Sequence, residues 1–224
     1  MAAKTAEIEA SLREAIFQGK YPPGTSLREI RLAKELGVSQ ATVRESLQRL
    51  ENTGLVVRVP HIGTTVVRLS PRDIRERVEL RALLEVRAAI AASSRMGPDE
   101  FRELENRLAI LTRTVENDLH YDLSQADLNF HRYIWQCSGN QTLQATLEQM
   151  TVPLIAFVSL LRHHGFQHLS DVVGAHEPLV AALRLRDVAV IEKAFYEGAT
   201  RSYREFMDVG PQVHKAFAFG FMES

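Results

Sequence analysis

Cysteine is almost missing from this chain. Cys137 stands alone in 224 residues, which excludes an internal disulfide framework and fits a reducing, cytosolic setting. Uninterrupted apolar runs are missing too: none approaches the ~20 residues needed to cross a bilayer, so no membrane partner is expected. The opening stretch, MAAKTAEIEA, carries acids early and lacks an apolar h-region, so it does not read as a secretory signal. There is no internal repeat and no low-complexity segment. Nor is there a charge excess, with a formal net charge of −1. What remains is an ordinary globular composition, 45% hydrophobic and 25% charged, long enough for one or two domains.

The charge is unevenly spread. Residues 1–69 hold ten Lys/Arg against seven Asp/Glu, a net of +3, and residues 70–224 hold seventeen against twenty-one, a net of −4. Affinity for nucleic acid grows with the phosphates a protein neutralises, so the first part is the better candidate for a polyanion.

Hydrophobic periodicity divides the chain in the same place. Residues 4–18 put Ile8, Leu12, Ala15 and Ile16 on one helical face. Gly19 ends that helix, and Tyr21-Pro22-Pro23-Gly24 reads as a turn. Ser26 to Glu29 has the spacing of a capping box, followed by the apolar positions Leu32, Ala33 and Leu36. After Gly37, Ser39 suits the N-cap of a third helix, with Val43, Leu47 and Leu50 on its inner face and Gly54 at its end. The period then falls to about two, in Leu55–Val59 and Thr64–Arg68, with Pro60-His61-Ile62-Gly63 as the hairpin connection. Three helices with a tight turn before the third, then a hairpin, form the pattern of a winged helix-turn-helix. From Ser70-Pro71-Arg72-Asp73, which carries an N-cap serine and N1 proline, everything reads helical. Expected helices are 71–95, 99–117, 122–137, 141–162 with a kink at Pro153, 171–185, and 188–208 capped by Asp187. The fold class is mainly α: a winged helix-turn-helix over 1–69, an antiparallel helical bundle over 70–210, and a tail over 211–224.

A recognition helix lays its first turn into the major groove while the preceding helix crosses the phosphates. Residues 39–51 suit that task. Arg44 can grip guanine in bidentate fashion or clamp a phosphate, and Gln40 can pair with adenine. Ser39, Thr42 and the helix N-terminus suit phosphate oxygens. Arg28 and Arg31, on the preceding helix, are placed for backbone contacts, while His61 and Gly63 at the hairpin tip can enter the minor groove. Any one of these is as readily a solvated surface residue; the arrangement as a whole is what points to double-stranded DNA.

These residues carry a resemblance. Tyr21-Pro22-Pro23-Gly24-Thr25-Ser26-Leu27, Leu36-Gly37-Val38-Ser39, Val43-Arg44-Glu45-Ser46-Leu47 and Gly54-Leu55 make residues 7–68 similar to the N-terminal domain of the GntR family. The resemblance implies a homodimer on a pseudo-palindromic operator, in a bacterial cytoplasm. Two departures stand out: arginines usual in this branch are replaced by Gln40 and Ile30, while Arg44 matches the third DNA-contacting arginine.

In the helical part, Asp127 and His131 lie four apart on one helix face, and His176 follows on a later helix. One carboxylate and two imidazoles suit a divalent metal such as Zn, Ni or Mn. They equally suit ordinary surface contacts. Glu79 to Glu85, Asp127 to His131, Ser138-Gly139-Asn140 and His176 resemble the FCD effector domain of the FadR-type branch, in its six-helix VanR-like form, over roughly 72–208. That resemblance implies a metal held by one aspartate and three histidines, near a small carboxylate effector. Asp127, His131 and His176 match three ligands, but Gly198 stands at the fourth position. Glu197 points away from it, and His163, His164 or His168 could lend a ligand. Arg81 falls on the face turned to the cavity, where it can clamp a carboxylate; the alternative is a salt bridge to Glu85. The expected function is a repressor controlled by that effector, not an enzyme. The alternatives are a ligand-independent DNA-binding dimer and a metal-dependent enzyme built on the Asp/His/His set.

Overall fold

The computed structural model describes residues 2–61, 63–116, 120–163, 170–201 and 203. Helix α1 (Ala2–Phe17) opens the chain. It buries Ile8, Leu12, Ile16 and Phe17. The Pro22–Gly24 turn delivers the chain into strand β1 (Ser26–Leu27). Helix α2 (Glu29–Leu36) ends in Gly37, whose left-handed backbone (φ 64°) makes the sharp turn into helix α3 (Gln40–Asn52). Strands β2 (Val56–Val59) and β3 (Gly63–Val66) follow.

The expected capping box at Ser26 does not form. Ser26 is drawn instead into antiparallel pairing, opposite Thr65, with Leu27 opposite Thr64. The hairpin thus becomes a three-stranded sheet in the order β1-β3-β2. Arg28 takes the N-cap position of α2 with extended backbone and no side-chain cap bond. Backbone pairing won because Leu27 is buried under the sheet, which a helical start at Ser26 would not achieve.

Helix α4 (Pro71–Ser93) begins with a complete capping box: the Ser70 hydroxyl accepts from the Asp73 N–H while Asp73 accepts from the Ser70 N–H. Helices α5 (Pro98–Glu116), α6 (His120–Cys137), α7 (Gln141–His163), α8 (Ser170–Leu185) and α9 (Val188–Arg201) complete the bundle. Asp187 caps α9 by accepting from the Val190 N–H at 3.1 Å. The described part of that helix ends at Arg201, and the Tyr203 N–H closes a turn on the Thr200 carbonyl; the rest of the expected stretch to 208 lies outside the described residues. The 211–224 tail lies outside the described residues.

Gln141–Leu160 is long and apolar enough, by composition, to cross a membrane. Interspersed polar residues hid that in the run of sequence. The helix serves as the core: Leu147, Val152, Leu154 and Ile155 are buried, and α7 packs against α1, α4 and α6. One apolar cluster joins Phe17, Leu50 and Leu55 of the first part to Trp135, Leu147, Val152 and Ile155 of the bundle. The two parts therefore share a core, and helix α7 is the wall between them.

Candidate functional site

On α3, Val43, Ser46, Leu47 and Leu50 face inward. The Ser46 hydroxyl donates to the Thr5 carbonyl at 2.9 Å, and Glu45 accepts from the Thr5 hydroxyl at 3.1 Å, fixing α3 on α1. The outer face carries Gln40, Arg44 and Gln48, all exposed. Ser39 caps the helix by accepting from the Thr42 N–H at 3.1 Å, and the two hydroxyls stand 2.8 Å apart. Arg28 and Arg31 are exposed on the neighbouring helix. His61, with φ 63°, and Gly63, with φ 103°, form the exposed tip of the hairpin; Ile62 between them lies outside the described residues. All eight predicted contact positions thus fall on solvent-accessible parts of the helix pair and the wing.

One residue of this face was not foreseen as part of it. Glu29, read from sequence as a capping acid, holds Arg44 instead. Arg44 donates from Nε and from Nη2, the latter at 2.8 Å, and Gln40 donates from Nε2 at 3.0 Å. The Arg44 hydrogen bond, aided by that from Gln40, outweighs desolvation and lowers the Glu29 pKa, while the Arg44 pKa rises. No local spacing announces this contact, because it is created by the turn at Gly37 that folds α2 across α3.

The second site lies between α4, α6, α7, α8 and α9. His176 Nε2 is 2.8 Å from Asp127 Oδ1 and 3.2 Å from His131 Nε2, and His131 Nε2 is 3.6 Å from Asp127 Oδ1. Ligand atoms at roughly 2.0–2.2 Å from one ion stand about 3–3.5 Å apart, so this trio has the spacing and the donor chemistry of a Zn-type centre. Both histidines are buried and Asp127 is half-buried. Behind His131, Glu85 Oε1 lies 3.3 Å from Nδ1, within ion-pair distance but without a well-aligned hydrogen bond.

Of the two alternatives open for Arg81 in the sequence, the salt bridge to Glu85 is formed. Arg81 Nε donates to Glu85 Oε1 at 3.1 Å within a buried pair. Its Nη1 lies 3.5 Å from the Tyr203 hydroxyl and its Nη2 3.5 Å from His131 Nε2, so the guanidinium also lines the cavity. Burial by itself would raise the Glu85 pKa; Arg81 and His131 reverse this and hold it at about 2. Tyr203 also lines the cavity, and no motif or periodicity singles it out.

Gly198 lines the same cavity as the trio, and among the described residues no fourth ligand joins it. A Cβ at this position would stand 3.2 Å from Leu179 Cδ2, so that leucine would have to give by a few tenths of an ångström. Glu197 is exposed. Histidines 164 and 168, and the side chain of His163, lie outside the described residues.

Two family models match the chain: "Bacterial regulatory proteins, gntR family" over residues 4–66 and "FCD domain" over residues 76–197. The HTH-type transcriptional repressor RspR of Escherichia coli K12 is 28% identical over 220 residues, 97% of this chain and 93% of the relative. A probable D-xylose utilization operon transcriptional repressor of Paenarthrobacter nicotinovorans is 28% identical over 180 residues, 80% of this chain and 78% of the relative. Among solved structures, E. coli McbR/YncC superposes with a TM-score of 0.78 at 24% identity, covering 92% of this chain and 98% of that one. A GntR regulator from Rhodococcus sp. RHA1 gives 0.70 at 18% identity over 93% and 99%. Both structures share the fold. The sequence relatives are transcriptional regulators rather than enzymes. The chain belongs to the GntR family, in the FadR-like branch that carries an FCD domain, and is a DNA-binding transcriptional regulator.

Proposed function

We propose that this regulator is a repressor, acting in the cytoplasm as a homodimer on a pseudo-palindromic operator, and that a small carboxylate bound beside a divalent cation controls its DNA affinity. Residues 1–69 read DNA through Arg44, Gln40, Ser39 and Thr42, with Arg28, Arg31, His61 and Gly63 on the flanking backbone and groove. Residues 70–210 hold the effector. The observation that carries this reading is the convergence of Asp127, His131 and His176, with Arg81 entering the same cavity. A divalent cation there would supply a Lewis-acidic centre for carboxylate oxygens. Asp127, His131 and His176 would hold it, the carboxylate offsetting part of its charge, and Arg81 would offer N–H groups to the anion.

Ile155 supplies the route to DNA. It lines the cavity and belongs to the cluster that includes Leu50 and Leu55 of the DNA-binding part. An effector that binds one packing of α7 better than another shifts the whole equilibrium, and with it the spacing of the two recognition helices. Glycine at position 198, where the family's fourth ligand is expected, favours the second reading, a dimer that needs no ligand.

The test is elemental analysis of untagged protein, followed by thermal shift with Zn, Ni and Mn and with a panel of small carboxylates. Expected are up to one metal per chain and a raised midpoint for at least one carboxylate, both lost in Asp127→Ala. Metal-free protein that no cation or carboxylate stabilises would establish the ligand-independent dimer instead.

A further inference from the structure

Gln40 and Arg44 are four residues apart on α3, so their side chains leave the same face of the helix. Both reach one acceptor, Glu29 at the first position of α2. The Glu29 side chain is 22% exposed, against 57% for that of Arg44, so the carboxylate sits behind the reading surface rather than on it.

This contact restricts what each partner can offer a base. A carboxylate only accepts, so the Gln40 amide must turn its nitrogen toward Glu29. Its oxygen is then free to face outward as an acceptor. Arg44 spends its Nε–H and one Nη2–H on Glu29. The end of the guanidinium away from the stem remains, with Nη1 and the second Nη2–H, and this edge suits the O6 and N7 acceptors of guanine. An outward amide oxygen suits the amino group of adenine or cytosine instead.

We propose that Glu29 is a specificity-determining positioning residue, which locks Arg44 end-on and Gln40 oxygen-outward so that the pair reads a guanine and a neighbouring amino-bearing base as one unit. This rests on the reading of α3 as the recognition helix. It also accounts for Gln40 in place of the family's arginine: an amide shares one carboxylate with Arg44 without adding a second cation.

Selection from a randomised duplex pool by the full-length protein tests this, with competition against a scrambled duplex. Glu29→Gln presents both a donor and an acceptor and cannot impose one amide orientation; Glu29→Ala removes the contact. Both variants are expected to relax the base preference under Gln40 and to lower the selected-to-scrambled affinity ratio about tenfold. Binding to scrambled duplex should stay equal or tighten, because a negative charge near the phosphates is gone. An unchanged preference and ratio overturns the proposal. So does an equal loss of binding to both duplexes, which marks Glu29 as structural support. Arg44→Ala separates the two levels. If it retains the wild-type motif, the recognition-helix reading itself fails; if it loses the motif while the Glu29 variants keep theirs, only the role of Glu29 fails.

Discussion

The backbone of Gly54 sits so close to the Gln149 carbonyl that a Cβ on it would stand 2.6 Å from that oxygen. Pro153 is the reason the oxygen is available. A proline has no N–H, so the carbonyl four residues earlier in α7 loses its helical donor. Arg77 of α4 donates to it instead, from Nη1 at 3.2 Å. The turn that follows the recognition helix, the first helix of the bundle and the shared helix α7 thus meet at one carbonyl. Gly54 also has a left-handed backbone, φ 73°.

Gly54→Ala should therefore destabilise the whole chain. The left-handed backbone costs a Cβ-bearing residue about 1–2 kcal/mol, and overpacking against a backbone atom adds about 1–3 kcal/mol. A chain of this length loses roughly 2–4 °C of Tm per kcal/mol. Thermal and urea unfolding check this. A change within ~0.5 kcal/mol, the range of ordinary surface substitutions, would show that the two halves do not depend on this contact.

Arg81 and Glu85 form a buried pair, 6% and 1% exposed. Removing one partner strands the other charge, so Arg81→Met should cost about 3–5 kcal/mol. The double variant Arg81→Met, Glu85→Leu should recover much of that loss, because two apolar groups leave no orphan charge. Denaturant unfolding of the three proteins measures the difference. If the double variant is as unstable as the single one, the pair does not act as a unit.

The capping box at the start of α4 predicts a pH dependence. Hydrogen bonds from the Ser70 side chain and backbone hold the Asp73 pKa below its usual value of 3.8. A carboxylate depressed in the folded state stabilises fully above the unfolded pKa, and its contribution fades as pH falls through the folded one. Ser70→Ala should cost about 1 kcal/mol at pH 7. The gap between variant and parent should narrow below about pH 4, as Asp73 is protonated in both. A gap that stays constant from pH 7 to pH 3 would separate the cap from Asp73.

Features written in adjacent residues were legible before the fold was. The caps at Ser39, Ser70 and Asp187 each use a side chain and a backbone group three positions away, so spacing alone locates them. The Asp127, His131 and His176 trio was legible in part: Asp127 and His131 share a helix turn, whereas no spacing along the chain brings His176, on a later helix, beside them. What escaped depends on contacts between distant segments. Strand β1 exists because residues far along the chain pair with it. Glu29 reaches Arg44 only once α2 crosses α3, and Tyr203 enters the cavity from a turn after α9.

Gly198 tests how far packing, rather than ligand chemistry, sets the candidate metal site. Restoring a histidine there appears at first to complete a four-ligand centre. Leu179 is 2% exposed, and its Cδ2 stands 3.2 Å from the point where that side chain must start, in a packed layer with little room to give. Gly198→His alone should therefore destabilise the bundle by about 1–3 kcal/mol without tightening metal binding. Shortening the obstacle as well, in Gly198→His with Leu179→Ala, opens room for the imidazole next to Asp127, His131 and His176. That double variant should bind Zn more tightly than the parent, by an order of magnitude or more in a competitive chelator titration, because a fourth protein ligand closes an otherwise open site. Tighter binding in the single variant would mean that α8 and α9 separate readily, and that Leu179 does not guard the position.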